Sequence, residues 1–289
     1  MDLIINLTPT GMIPTKEMTP HVPVSVQEVV DDVCQCAEIG ITMVHLHVRE
    51  PESGKPTYKA ELYGEIIQGI RNFAPHLVIC VSLSGREFKE FEKRSEPLRL
   101  EGKLKPDMGS LTLSSLNFNK QASISEPQMI QDLATEMKNR GIIPELEAFD
   151  LGMLNYARYL QRKGFIEPPY YFNLIFGNIA CAQADLLHSG LMLNDLLQDS
   201  YWSFGGVGDY QLRMNSIAIA MGGGVRVGLE DNIWYDERRT RLAKNRDLIE
   251  RIHTIAEANG CKVMKLAELR SLMKLESGNG KYGRAMLGN

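Results

Sequence analysis

The chain has 289 residues, with 32 Lys and Arg against 36 Asp and Glu, a formal net charge of -4 and 44% hydrophobic residues. This ordinary globular composition excludes extended disorder and fibrous repeats. Without a Lys/Arg-rich run it also offers no electrostatic footprint for nucleic acid or anionic lipid. No apolar stretch approaches the roughly 18 residues that span a membrane. The opening MDLIINLTPTG lacks the basic start and cleavage site of a signal peptide, so a cytoplasmic protein is expected.

In chain order, β-rich runs start at Leu3 (LIINLTP), Met43 (MVHLHV), Leu77 (LVICVSLS), Asp107 (DMGSLTL), Ile142 (IIPELEAF), Tyr170 (YYFNLIFG), Trp202 (WSFGGVG) and Val225 (VRVGLED). Amphipathic patterns separate them: Ser25 to Glu38, Lys59 to Phe73, Ile130 to Arg140, Leu151 to Lys163, Ala182 to Leu197 and Tyr210 to Met221. A long one follows from Asp236 to Asn259. Ser25-Val-Gln-Glu28 reads as a capping box, and Ser125-Glu-Pro announces the helix around Ile130. The strand starts are one βα unit apart and no Gly/Pro/Ser-rich linker interrupts them. They predict a single domain over residues 1–289, a (β/α)8 TIM barrel with its active site at the C-terminal strand ends. An open doubly wound sheet is the alternative.

From about residue 262 a C-terminal helical extension is expected, with a short helix from Leu266 to Lys274. A polar, glycine-rich end follows, packed outside the barrel or against another subunit. The five cysteines, Cys34, Cys36, Cys80, Cys181 and Cys261, are odd in number and scattered, which argues for reduced thiols.

Three strand ends carry chemistry. In Val44-His45-Leu46-His47-Val48-Arg49 the two histidines share a face, so they could chelate a divalent metal such as zinc or form a hydrogen-bonded pair in a polar layer. In Arg226-Val-Gly-Leu-Glu230-Asp231-Asn232 adjacent carboxylates point to different sides. One could join the histidines as a metal ligand while the other moves protons. A helix cap at Asp231 beside an exposed Glu230 is the alternative. Glu145 and Glu147 share the inner face of the fifth strand, where Arg226 is the candidate partner for catalysis or for a structural ion pair.

Weaker signals are the hydroxyls of Ser82, Ser84 and Ser110, which could hold a carboxylate or shape turns. The Gly205-Gly206-Val207-Gly208-Asp209 run could bring backbone amides near a phosphate or thioester. His21, His76, His188 and His253 have no metal-spaced partner in sequence.

Taken together, Thr10-Gly11, His45-Leu-His47-Val-Arg49, the Ser82 loop, Pro106-Asp-Met-Gly-Ser110 with Asn117-Phe118, Pro144-Glu-Leu-Glu147 and Arg226-Val-Gly-Leu-Glu230-Asp231-Asn232 resemble the β-keto acid cleavage enzyme family. The resemblance runs from about Leu3 to Tyr235. It implies a zinc-dependent barrel, typically tetrameric, that condenses a β-keto acid with acetyl-CoA and releases acetoacetate and a new acyl-CoA. By resemblance, His45, His47 and Glu230 bind Zn2+. Asp231 is the base for the keto acid's C2 proton, tuned by Arg226, Glu147 and Ser82. Ser82, Gly85 and Ser110 receive the carboxylate.

One departure bears on the substrate. Members that take an amino-bearing keto acid carry a Thr-Gly-Ala-Glu stretch whose Glu holds the ammonium. This chain reads Thr10-Gly11-Met12-Ile13. A buried cation without a counter-charge is expensive, so the substrate is expected to lack that amino group. Ile13 would face an apolar acyl tail, and Arg86 leaves a dianionic keto acid open. A metal-dependent hydrolase would normally add histidines from middle strands, and Ile142 to Gly177 contains none. A non-catalytic metabolite-binding barrel is the other alternative.

Overall fold

In the computed structural model, which describes residues 2–285, eight parallel strands close into a barrel. They are β1 (Ile5–Leu7), β2 (Met43–Leu46), β3 (Val78–Val81), β4 (Met108–Thr112), β5 (Ile143–Ala148), β6 (Tyr170–Phe176), β7 (Ser200–Gly206) and β8 (Gly224–Val227). Each pairs with the next, and β8 closes onto β1 with Asn6 opposite Arg226. The expected (β/α)8 TIM barrel is therefore present. The open-sheet alternative fails because this sheet has no edge.

The main helices are α1 (Val26–Ile39), α2 (Ala60–Phe73), α3 (Pro127–Asn139), α4 (Leu151–Arg162), α5 (Leu186–Asn194), α6 (Tyr210–Ala220), α7 (Asn245–Ala258) and α8 (Leu266–Leu272). Ser25 and Glu28 form the expected capping box at the start of α1. On α2 the buried Tyr63, Ile66, Ile67 and Ile70 recur at three- and four-residue spacing, which turns one apolar stripe onto the barrel. After β3 only a short helix, Phe91–Ser95, and 3-10 turns at Glu96–Arg99 and Gly102–Leu104 fill the helix position. None of the described helices is long and apolar enough to cross a membrane.

Two helix starts differ from expectation for the same reason, an aspartate competing for backbone donors. The pattern from Asp236 does not begin a helix: its carboxylate accepts from the amides of Thr240 and Arg241 and closes a turn, and α7 begins only at Asn245. The helix expected from Ala182 begins at Leu186, where Asp185 accepts from His188 N and caps it.

The C-terminal extension also differs. It does not lie outside the barrel but seals its N-terminal mouth. Leu3 bridges Val263, and Met264, Leu269, Met273 and Leu275 pack on the inward-facing Ile4, Met43, Val78, Met108 and Ile143. Those strand residues form the lowest interior layer, and without the extension they would face water. The buried Arg270 fastens the plug, donating to both Asp107 oxygens at 3.0 and 2.9 Å and to the carbonyls of His76 and Leu77.

A candidate metal and acid–base site at the barrel mouth

Above the apolar layer the barrel interior turns polar. Asn6, His45, Glu145, Tyr171, Asn173 and Ser203 are almost fully buried, and hydrogen bonds satisfy most of them. His45 Nδ1 meets Glu145 Oε2 at 2.5 Å, and Asn6 Nδ2 donates to Glu145 Oε1 at 2.7 Å. The Cys80 thiol donates to Glu145 at 3.2 Å. Glu145 is thus consumed in orienting His45, and it is Glu147, one pleat nearer the C-terminal end, that contacts Arg226.

The strand β2 ends at Leu46, so His47 lies just beyond it, yet alternation still turns His47 to the side of His45, with ring centroids 5.1 Å apart. Their Nε2 atoms are 3.3 Å apart, and Glu230 Oε1 lies 3.3 Å from His47 Nε2. At the end of β8, Arg226 binds three carboxylates at once: Asp231 through Nε at 2.9 Å, Glu230 through Nη2 at 2.8 Å and Glu147 through Nη1 at 3.3 Å. Thr112 donates to the other oxygen of Glu147 at 2.7 Å. The six residues His45, His47, Glu147, Arg226, Glu230 and Asp231 therefore form one network. The helix-cap alternative fails, because Asp231 starts no helix and the Glu230 side chain is only 15% exposed.

The donor set fits a metal ion. Donor atoms of His45, His47 and Glu230 lie within 4.8 Å of one another, and Glu230 Oε2 is buried without a partner among the described residues. Nδ1 of His45 faces Glu145 and Nε2 faces the cluster, the orientation of a metal-binding histidine, whose Nε2 gives up its proton when an ion binds. Two histidines and one carboxylate leave a coordination position open.

Charge coupling shapes the titration of these groups. Burial alone would lower His45, but Glu145 and Glu230 outweigh it and raise its pKa to about 9. Burial likewise opposes ionisation of Glu145, yet His45 brings its pKa down to about 2. Asp231 goes the other way: burial raises its pKa to about 6 against the pull of Arg226, with Glu230 adding to the rise.

Around this network the loops are fixed by contacts that sequence reading missed. Gly11, at φ +64°, leaves room for Glu230; a Cβ there would sit 2.5 Å from Glu230 Cγ. Arg49 donates to the carbonyls of Gly11 and Pro14 at 2.6 and 3.1 Å and pins that loop. The period-two run of His45, His47 and Arg49 was the available signal for Arg49. The amide of Gly208, considered for a phosphate, donates instead to the Asp231 carbonyl at 2.8 Å and positions that residue.

The expected carboxylate pocket is less uniform. Ser82 and Ser84 line a small cleft beside His47 together with Met12, Tyr58 and Tyr63. Ser110 is buried, and its hydroxyl accepts from Leu83 N at 3.0 Å, so it shapes the loop. Gly85 is pressed against the Ile124 carbonyl, where a Cβ would come within 2.0 Å. It is Met12, rather than the 49% exposed Ile13, that faces the cleft.

A closed barrel thus carries, at its C-terminal mouth, a metal-type donor set beside a buried, arginine-held carboxylate. The family described as beta-keto acid cleavage enzyme matches residues 2–275, and the chain belongs to that family. It is 33% identical to a 3-keto-5-aminohexanoate cleavage enzyme of Fusobacterium nucleatum, over 95% of this chain and 98% of that one. It is also 33% identical to a 3-oxoadipate:acetyl-CoA acetyltransferase of Cupriavidus necator, over 95% of each. Among solved structures, apo ObcA superposes with a TM-score of 0.74 at 16% identity, covering 88% of this chain and 65% of that one, which supports the fold.

Proposed function

We propose that the protein is a zinc-dependent β-keto acid:acetyl-CoA transferase that yields acetoacetate and a new acyl-CoA. The observation that carries this reading is the junction at Arg226. One guanidinium holds the candidate base Asp231 beside the candidate metal ligand Glu230, so proton transfer and charge stabilisation meet at one place.

In this reading Asp231 takes a proton from C2 of the keto acid. Arg226 holds Oδ2, and Oδ1, with no partner among the described residues, is free to accept it. The C2 carbanion attacks the acetyl thioester carbon and expels the coenzyme A thiolate. That thiolate adds to the original keto carbon, the C2–C3 bond breaks, and the departing acetoacetate carbanion recovers the proton from Asp231. Zinc held by His45, His47 and Glu230 would supply Lewis-acid stabilisation of the negative charge that develops on oxygen. Glu147 and Thr112 keep Arg226 in register. Ser82, at the edge of the cleft, receives the substrate carboxylate, with Ser84 beside it; Gly85 and Ser110 hold that loop in shape.

Relatives are named for 3-keto-5-aminohexanoate, 3-oxoadipate and 3-dehydrocarnitine, keto acids that differ in their tails, so the tail contacts decide the substrate. Met12 and Ile13 provide no carboxylate for an ammonium, and Glu147, Glu230 and Asp231 are all bound to Arg226, which supports a substrate without the amino group. Assembly into a homo-oligomer, a tetramer by family resemblance, belongs to the same reading. Leu186, Leu187 and Leu191 remain exposed on α5, which supports a covered face. The five free cysteines suit a reducing cytoplasm.

The test is a zinc-stoichiometry measurement coupled to a panel of β-keto acids, each mixed with acetyl-CoA and scored for acetoacetate. Near one zinc per chain and acetoacetate from a member of the panel is the expected result. Zinc without acetoacetate from any acid would overturn the transferase reading.

A further inference from the structure

Among the described residues, four cations near the mouth are committed to partners and Arg86 is not. Arg226 is bound to three carboxylates, Arg49 to the carbonyls of Gly11 and Pro14, Arg94 to the carbonyls of Leu83 and Ile124, and Lys93 to Glu90. The guanidinium of Arg86 forms no ion pair and no hydrogen bond among the described residues. Its neighbour Glu87 is engaged by Gln121.

Arg86 is nevertheless held in place. Its guanidinium carbon lies 3.7 Å above the centre of the Phe118 ring, and Phe118 packs edge-on against Phe149 at the end of β5. The backbone beside it is clamped: Gly85 O accepts from Ile124 N at 3.1 Å, and Ser84 Oγ accepts from Arg86 N at 3.3 Å. The side chain is half-buried, and burial lowers its pKa while Glu230, Asp231, Glu147 and Glu87 pull it back up. A guanidinium stacked on an aromatic face keeps its N–H edge free for bidentate recognition of a carboxylate.

We propose that Arg86 receives a second, distal anionic group of the keto acid, so that the preferred substrate is a dianionic β-keto acid. The proposal rests on the transferase reading for the reacting end and adds the chemistry of the other end. Ser84 and Phe88, two residues to either side of Arg86 in the chain, line the partly apolar cleft beside His47, so a short methylene tail leaving that cleft and ending in a carboxylate would suit the guanidinium. The phosphates of coenzyme A are the other source of an anion for this residue, and the test separates the two.

Two acids of equal chain length, 3-oxoadipate and 3-oxohexanoate, are compared as substrates with acetyl-CoA, using the wild type, Arg86→Met and Arg86→Lys. In parallel, binding of the unreactive adipate and hexanoate is measured by calorimetry. The wild type is expected to favour the dianion in both assays by about tenfold or more, the worth of one charge-assisted contact. Arg86→Met should remove that preference through the dianion's KM, leaving 3-oxohexanoate turnover and the KM for acetyl-CoA within about threefold, because the reacting groups are untouched. Arg86→Lys should restore part of it.

A wild type that binds adipate no better than hexanoate overturns the proposal, as does an Arg86→Met variant whose main loss is in KM for acetyl-CoA or equally in both acids. Should neither keto acid turn over while adipate binding still depends on Arg86, the transferase reading fails and the anion site stands.

Discussion

The two mouths of the barrel each hold a buried arginine–carboxylate network, and they are built to opposite ends. At the N-terminal mouth Asp107 is saturated. Its oxygens accept from Arg270 twice, from the amides of Ile79 and Gly283 and, at 3.5 Å, from Arg71. At the C-terminal mouth Arg226 gathers Glu147, Glu230 and Asp231, but among the described residues Glu230 Oε2 is buried without a partner and Asp231 is held through Oδ2 only. A fully satisfied network rigidifies, whereas an under-satisfied one retains affinity for something not yet bound. The same residue types thus lock one end and prepare the other.

The largest expected effect comes from Asp231→Asn. The asparagine can still accept from Arg226 but cannot take a proton, so kcat should fall by about 10²–10⁴-fold with zinc content and thermal midpoint little changed. Retained turnover would break the assignment of the open network to chemistry. Asp107→Ala is the complementary variant: it leaves Arg270 buried and unpaired, and should cost about 3–5 kcal/mol in a denaturant titration. The turnover of its folded fraction should remain near wild type, and selective loss of turnover would contradict a purely structural lower mouth.

A smaller effect is expected from Glu145→Gln. Loss of the anionic partner of His45 should weaken zinc binding by about 10–100-fold in a chelator competition, while the fold persists. Unaltered affinity would place His45 outside the metal set.

Asp32, on α1, sharpens the comparison most gently because it only backs the upper mouth. It accepts from Asn245 Nδ2 at 2.6 Å, and the same Asn245 accepts from the amide of Leu229, next to Glu230. Burial raises the Asp32 pKa from 3.8 to about 7, opposed by the Asn245 hydrogen bond and Lys16. Because the folded pKa lies above the unfolded one, this group favours the folded state fully below about pH 4, and that contribution is lost as pH rises to about 7. Asp32→Asn should therefore match wild type near pH 4 and gain stability relative to it progressively towards pH 8. A gap in thermal midpoint that does not widen over that range would show that Asp32 titrates normally.

Much of this was legible from the chain alone. The βα spacing announced the barrel, because strand and helix periodicities are local properties of the side-chain pattern. Alternation placed His45 with His47 and Glu145 with Glu147, since side chains two apart on a strand share a face. The Ser25 capping box and the helical register of α2 were equally local.

Tertiary structure alone decided what each of those residues faces. Sequence could not separate the tasks of Glu145 and Glu147; the barrel does so by depth, giving the deeper one to His45 and the shallower one to Arg226. Nor could it show that the C-terminal extension plugs the lower mouth, or that Arg86 stands on Phe118 without an ionic partner among the described residues. These relations join residues far apart in the chain, and their energies depend on burial and on which neighbours satisfy each charge. Local pattern specifies which face a side chain takes, and only the closed barrel specifies what waits on that face.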